Sequence, residues 1–142
     1  MPDNKRPTCF IDTNIWLYAF IEGDNSAKSA TARALIQETE PMLSTQVINE
    51  VCVNLLRRAN FTEEHVRRII ESFYEKYPVV ELNRSILLTA SQLRQQYSLS
   101  FWDSTIVASA LSVRAPILYS EDMQHELTVE GHLQVLNPFA QR

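Results

Sequence analysis

Apolar and polar residues follow two periods along this chain. Runs of three or four apolar residues bounded by polar ones read as short buried strands: Cys9-Phe10-Ile11, Met42-Leu43 behind Pro41, Val79 to Leu82, Ile117 to Ser120 behind Pro116, and Leu133 to Leu136. Between them the spacing becomes helical. Thr13 to Ile21 is an apolar helix ended by Gly23-Asp24-Asn25, and a second helix covers about Ser26 to Glu38. Ser44 or Thr45 caps a helix whose stripe is Val47, Ile48, Val51, Cys52, Leu55 and Leu56. Thr62, with Glu63 and Glu64 behind it, starts a helix that Pro78 stops after Tyr77. Asn83 caps the helix of Ile86, Leu87, Ala90 and Leu93, and the last helix runs from near Ser100 to Val113. Short strands alternating with helices predict an α/β fold of three layers (α/β/α) around a central, mainly parallel sheet with right-handed crossovers.

At 142 residues the chain fits one domain, read here as residues 8–142 behind a flexible tail of residues 1–7. Hydrophobic residues make up 45% and charged residues 21%, which leaves no room for a disordered or low-complexity reading. Residues 1–7 lack an apolar signal region, and Cys9 to Ile21 is too short to span a bilayer and carries Asp12 and Asn14. A soluble cytoplasmic protein is expected, with no membrane partner. Cys9 and Cys52 sit within apolar segments without zinc-site spacing and read as buried thiols. The net charge of -4 argues against a surface coated for nonspecific nucleic-acid binding but permits a local basic patch.

Four carboxylates break the pattern. Asp12 ends the first strand, where open α/β sheets place ligand sites, although an aspartate there also serves as an Asx-turn or helix cap. Asp103 projects into the apolar face formed by Trp102, Ile106, Val107, Ala110, Leu111 and Val113, so it should be buried or nearly so. Its ordinary role would be to serve the first helical turn. Glu50 borders the stripe beside Val47, where a surface glutamate is the plain explanation, and Asp122 follows a strand in the loop Ser120-Glu121-Asp122. Asp103 carries the sharpest signal, because caps seldom point down an apolar stripe, and the other three are ordinary when taken alone. Converging, they would repel one another and hold protons unless a hard divalent cation bound them, and all-oxygen ligation selects Mg²⁺ or Mn²⁺.

The segments Phe10-Ile11-Asp12-Thr13-Asn14, Val47-Ile48-Asn49-Glu50-Val51, Phe101 to Ala108 and Leu118 to Gln124 resemble, in order and spacing, the acidic motifs of PIN-domain ribonucleases. The likeness is nearest to the bacterial toxin members called VapC and extends to the terminal Asn137-Pro138-Phe139. It implies Mg²⁺- or Mn²⁺-dependent endonucleolytic cleavage of RNA, with Asp12, Glu50, Asp103 and Asp122 as catalytic metal ligands. It also implies that Asn14 and Ser120 hydrogen-bond the carboxylates or metal-bound water. A homodimer and a cognate antitoxin whose C-terminal segment covers the site follow from the same likeness. The aromatic pair Phe101-Trp102 departs from the family, which often has a single tyrosine or a small residue there.

A polyanionic substrate needs cations around such a site, and the candidates are Lys5, Arg6, Arg57, Arg58, Arg67, Arg68, Arg84 and Arg94, with Arg57, Arg58 and Arg84 foremost. Trp16, Leu17, Tyr18, Phe20 and Ile21 surround the first helix with more apolar surface than one buried face requires, so part of it should face a partner. Two other enzyme or signalling classes are disfavoured. A phosphoacceptor receiver domain needs a lysine after its last strand, and none occurs after Lys76; a haloacid-dehalogenase-like phosphatase needs an aspartate where Asn14 stands. A catalytically silent PIN-like module binding RNA or protein stays open.

Overall fold

The computed structural model describes residues 5–21, 23 and 25–140, so Asp24 and most of the expected tail lie outside the described residues. The first strand, β1 (Thr8–Ile11), ends at Asp12, whose extended backbone and side chain cap α1 (Thr13–Phe20). Asn25 caps α2 (Ser26–Glu38), which leads to β2 (Glu40–Ser44). Ser44 caps α3 (Thr45–Arg58), whose last turn carries Arg57 and Arg58. Thr62 and His65 form a capping box at the start of α4 (Glu63–Lys76), followed by β3 (Val79–Val80). Asn83 caps α5 (Arg84–Gln96) and Ser100 caps α6 (Phe101–Ser112). The chain closes with β4 (Ile117–Tyr119), β5 (Thr128–Val129) and β6 (Leu133–Leu136).

The six strands form one sheet in the order β3-β2-β1-β4-β6-β5, parallel throughout except for the β5–β6 pair. The chain moves outward from β1 through β2 to β3, then returns to place β4 on the other side of β1. Right-handed crossovers then set α1 to α4 on one face and α5 and α6 on the other. Burial agrees: Cys9, Phe10 and Ile11 are consecutive and all inaccessible, which requires cover on both faces. Pro41 is tolerated inside β2 because it pairs only with Cys9, while β3 begins its pairing at Leu43.

The sequence reading needs several corrections. β3 stops at Val80, because Glu81 and Leu82 turn outward to reach the cap of α5. β5 is a two-residue strand whose turn uses positive φ at Glu130 (52°) and Gly131 (74°), too short for any period to register. Leu87, expected in the buried stripe of α5, is 53% exposed. On α6 the seven residues from Ser104 to Ala110 are all buried, so the helix is enclosed rather than one-faced, while Trp102 and Val113 at its ends are exposed. Serine and alanine make that enclosure possible by letting neighbours approach closely.

α1 is also enclosed more fully than expected. Trp16 packs against Phe73 and Tyr77 with ring centroids 5.1 Å apart in each pair, and its Nε1 donates to the Ile11 carbonyl at 3.1 Å. Leu17 is 5% exposed, and of the helix's large apolar groups only Phe20 stands well out. The surplus apolar surface thus faces α2, α3 and α4 of the same domain. At the N-terminal end, the described part of the expected tail is tied down. Arg6 donates to the Gln37 carbonyl at 2.8 Å and pairs with Glu40 at 3.1 Å, and the Pro7 carbonyl accepts from Glu40 N–H at 2.8 Å.

Candidate metal-carboxylate site

In a parallel sheet the strand order reverses at one crevice, and here it lies between β1 and β4. Ile11 registers with Tyr119, so the next residues, Asp12 and Ser120, leave adjacent strands side by side. Asp12 N–H donates to the Tyr119 carbonyl at 3.0 Å, and the Ser120 hydroxyl donates to Asp12 Oδ2 at 2.9 Å. Asp12 Oδ1 accepts from Thr13 N–H at 2.7 Å. This aspartate therefore caps α1 while lying buried at the mouth of the crevice, 8% exposed.

The loop after β4 brings in Asp122, whose Oδ2 accepts from Asn14 Nδ2 at 2.7 Å. Glu50 reaches across from α3, where Oε2 accepts from the Thr13 hydroxyl at 3.0 Å and Oε1 from Gln46 Nε2 at 3.0 Å. Asp103 stands in the first turn of α6, half-buried, its own N–H bound to the Ser100 hydroxyl oxygen at 3.0 Å. Capping of α6 falls to Ser100, which leaves the Asp103 carboxylate to face the cluster. Asp103 is less buried than the apolar-face reading implied, because Trp102 beside it points outward.

Electrostatics tie the four together. Burial pushes the Asp12 carboxyl from 3.8 up to about 6; the Thr13 N–H and Ser120 hydroxyl pull it down, and the charges of Asp103 and Glu50 raise it further. Asp103 is raised too, first by burial, against the Ser100 hydroxyl, and then by Asp122 and Glu50. Each of the four carboxylates is thus within the field of another. The donor set is all oxygen, which suits a hard divalent ion. Gln46 Oε1, beside Glu50, adds a buried oxygen with no hydrogen-bond partner, unlike every other buried side-chain N or O among the described residues. Also among the described residues, no three acidic, histidine or cysteine groups stand in ready ligand geometry. Asp12, Glu50 and Asp122 are instead engaged by the neutral donors just named.

Two contacts were not legible in the sequence: Thr13 to Glu50, 37 positions apart, and Gln46 to both Glu50 and the Trp102 carbonyl at 3.3 Å. Only the i, i+4 spacing of Gln46 and Glu50 on α3 hinted at the second. A third unforeseen group lies behind Asp122. Tyr18 donates to Glu121 Oε1 at 2.7 Å, Lys28 pairs with Glu121, and Lys28 sits over the rings of Tyr18 and Phe139 at 5.2 and 5.3 Å.

Of the basic residues, Arg58 lines a cavity of about 310 Å³ with Asn14, Leu17, Tyr18, Ile21, Gly23 and Asn25. Arg57 and Arg84 are exposed at the end of α3 and the start of α5. Arg6 and Arg68 pair with Glu40 and Glu64, and Arg94 donates to the Ser104 hydroxyl at 2.7 Å. Cys9 and Cys52 are buried free thiols. Among the described residues no helix is long and apolar enough to cross a membrane.

Comparison with solved structures shows the same fold. A toxin-antitoxin complex from Klebsiella pneumoniae matches 92% of this chain and 98% of its own at 20% identity, with a TM-score of 0.70. The sarcin-ricin loop cleaving toxin VapC20 of Mycobacterium tuberculosis matches over 78% and 86% at 21% identity and a TM-score of 0.64. VapBC2 of Rickettsia felis, bound to a DNA fragment from its promoter, matches over 92% and 99% at 15% identity and a TM-score of 0.63. A search of curated proteins finds no match. The family model of the PIN domain matches residues 9–128, a span that runs from within β1 to the first residue of β5 and holds all four carboxylates, and the chain belongs to that family.

Proposed function

We propose that this chain is a divalent-metal-dependent endoribonuclease and the toxin of a toxin-antitoxin pair, with residues 8–142 acting as one nuclease domain in the cytoplasm. The observation that carries the reading is the convergence of Asp12, Glu50, Asp103 and Asp122 on the crevice between β1 and β4, where burial and then the neighbouring carboxylates raise Asp12 to about 6 and raise Asp103 as well. A protein holding like charges in this way gains from a counter-ion. These four residues would hold Mg²⁺ or Mn²⁺. The ion, when bound, lowers the pKa of a water to make it nucleophilic and stabilises charge developing on a phosphoryl group.

The chain's own groups do the positioning. Ser120 and Thr13 N–H fix both oxygens of Asp12, the Thr13 hydroxyl and Gln46 fix those of Glu50, and Asn14 holds Asp122. Arg58, on the Asn14 side, supplies a cation for a phosphate, and Arg57 and Arg84 extend the basic rim. Support for RNA and for an antitoxin comes from the fold neighbours, one a loop-cleaving toxin and others toxin-antitoxin complexes. A homodimer is the expected assembly by the same likeness.

One observation favours the silent-module alternative: among the described residues no three ligands are preassembled. Incubation of the purified protein with labelled RNA, with and without Mn²⁺, separates the two. Cleavage that needs Mn²⁺ and is lost in Asp12→Asn and Asp103→Asn supports the nuclease; full activity of Asp103→Asn at limiting Mg²⁺ removes that residue from the site. Absence of any cleavage leaves the binding module.

A further inference from the structure

Phe101 and Trp102 open α6 immediately before Asp103, and they are 60% and 66% exposed. Large rings so exposed at the edge of a site call for a use, since their burial elsewhere would be favourable. They are also held still. Phe101 has the Arg94 guanidinium 4.2 Å from its ring centroid and meets Trp102 edge-on, centroids 5.6 Å apart at 75°. Arg94 is itself fixed to the Ser104 hydroxyl. The Trp102 carbonyl accepts from Gln46 Nε2, the same nitrogen that donates to Glu50. One side chain therefore ties the aromatic pair to the carboxylate cluster.

Trp102 lines an open cleft of about 750 Å³ with Thr45, Gln46, Asn49, Glu50 and Leu82, within the range of roughly 300–1,000 Å³ typical of ligand clefts. Its chemistry excludes one occupant and suits another. No lysine or arginine is in the wall, so the lining itself offers nothing to hold a phosphate group. An indole and a leucine offer flat apolar surface, while the amides of Asn49 and Gln46 and the Thr45 hydroxyl offer neutral donors and acceptors. A flat, uncharged heterocycle with hydrogen-bonding edges fits that combination.

We propose that this cleft is a base-binding subsite in which an unpaired nucleobase of the RNA substrate stacks on Trp102 and presents its edge to Asn49 and Thr45. The inference rests on the nuclease reading and deepens it. A base within a duplex is already stacked, so the subsite selects single-stranded or looped RNA.

The test measures binding of a single-stranded oligoadenylate and of a blunt RNA duplex to Asp12→Asn protein, which stops turnover, with and without Trp102→Ala, Trp102→Phe or Trp102→Leu. Affinity is read in every protein from the fluorescence anisotropy of end-labelled RNA, and, because Trp16 is buried, quenching of the exposed tryptophan in protein that keeps Trp102 reports on contact with that ring. Trp102→Ala should weaken oligoadenylate binding by about 5- to 150-fold, the span of one lost base–aromatic stack. Trp102→Phe should keep most of the affinity, and Trp102→Leu, apolar without a ring, should not. Cleavage in the otherwise wild-type protein should show a raised KM with little change in kcat. Light scattering on the same samples should give one unchanged mass.

Equal binding by Trp102→Ala, or tighter binding of the duplex than of the single strand, overturns the subsite while leaving the nuclease reading intact. A change of mass in Trp102→Ala overturns it in favour of a contact between copies of the chain. Failure of wild-type protein to bind or cut either RNA overturns both readings together.

Discussion

Asp12→Asn should stabilise the metal-free protein at neutral pH, and the size and pH dependence of the gain follow from the site. Folding takes the Asp12 carboxyl from 3.8 to about 6, chiefly through burial, with Asp103 and Glu50 adding to it. Each tenfold change in proton affinity is about 1.4 kcal/mol, so holding this carboxylate charged costs the folded state about 3 kcal/mol. The sign is that of a raised acid. Below about pH 4 both folded and unfolded chains carry the proton and the cost is absent. Between about pH 4 and pH 6 the unfolded chain releases it first, so stability falls as pH rises, and above about pH 6 the full cost is present.

Asparagine removes the charge and keeps the shape. Its amide oxygen retains the Thr13 N–H bond, and its amide nitrogen faces the Ser120 hydroxyl, which can rotate to accept. Exchanging charge-assisted bonds for neutral ones costs about 1 kcal/mol, leaving a net gain of about 2 kcal/mol near neutral pH. For a chain of this length that is a rise in Tm of about 6–8 °C. Thermal unfolding followed by circular dichroism in EDTA should show the gain near neutral pH, and a small loss instead at about pH 4. A variant no more stable than wild type at neutral pH, or a difference that does not change with pH, would refute the electrostatic account of Asp12.

Added Mn²⁺ at a hundredfold excess over its Kd should stabilise wild type by about 2.7 kcal/mol at neutral pH and do nothing for the Asp12→Asn, Asp103→Asn double variant; equal shifts in both would place the ion elsewhere. The wild-type shift should shrink below about pH 6, as protons compete for Asp12. Trp16→Ala should cost about 3–5 kcal/mol in urea unfolding, since it empties the space against Phe73 and Tyr77 and frees the Ile11 carbonyl; a loss under about 1 kcal/mol would mean that α1 is not locked there. Tyr18→Phe removes a hydrogen bond to Glu121, worth about 1.5 kcal/mol, and should raise the Mn²⁺ concentration needed for half-maximal cleavage because Glu121 precedes Asp122. An unchanged metal requirement would confine Tyr18 to stability.

What the sequence made legible was local. The caps at Ser44, Thr62, Asn83 and Ser100 are side-chain signals within three residues of the bond they make, and each stands where its helix begins, whereas Asn25, read only as part of the end of the first helix, also caps the second. That Ser120 hydrogen-bonds a carboxylate was an implication of the family likeness; that the carboxylate is Asp12 required the fold, in which parallel neighbours with matched register bring the residues after them together. What required the fold was enclosure. An apolar residue on α1 or α6 has the same period whether it meets its own domain or another, so part of α1 read as partner-facing and Trp102 as part of a buried face, whereas Leu17 is buried and Trp102 exposed. Likewise Leu87 keeps the spacing of a core stripe at a position that α6 does not cover. Polar pairs between distant helices, such as Thr13 with Glu50, have no sequence period at all.

The arrangement of helices explains how four carboxylates can share one crevice. In a parallel α/β sheet the helix that follows a strand starts at that strand's carboxyl end, so α1 directs its N-terminus at Asp12. α6 does the same for Asp103, which lies in its first turn. Each positive helix end favours a nearby anion by about 0.3–1 kcal/mol, up to about 2 kcal/mol when partly buried. That falls short of the roughly 3 kcal/mol that the charge on Asp12 alone costs. The helix dipoles therefore soften the cost of the buried charge without cancelling it. The remainder can be relieved only by a proton or by a cation, and at neutral pH, above the value of about 6 for Asp12, a proton is no longer held. The same imbalance that makes Asp12→Asn stabilising thus makes the wild-type crevice a receptor for positive charge.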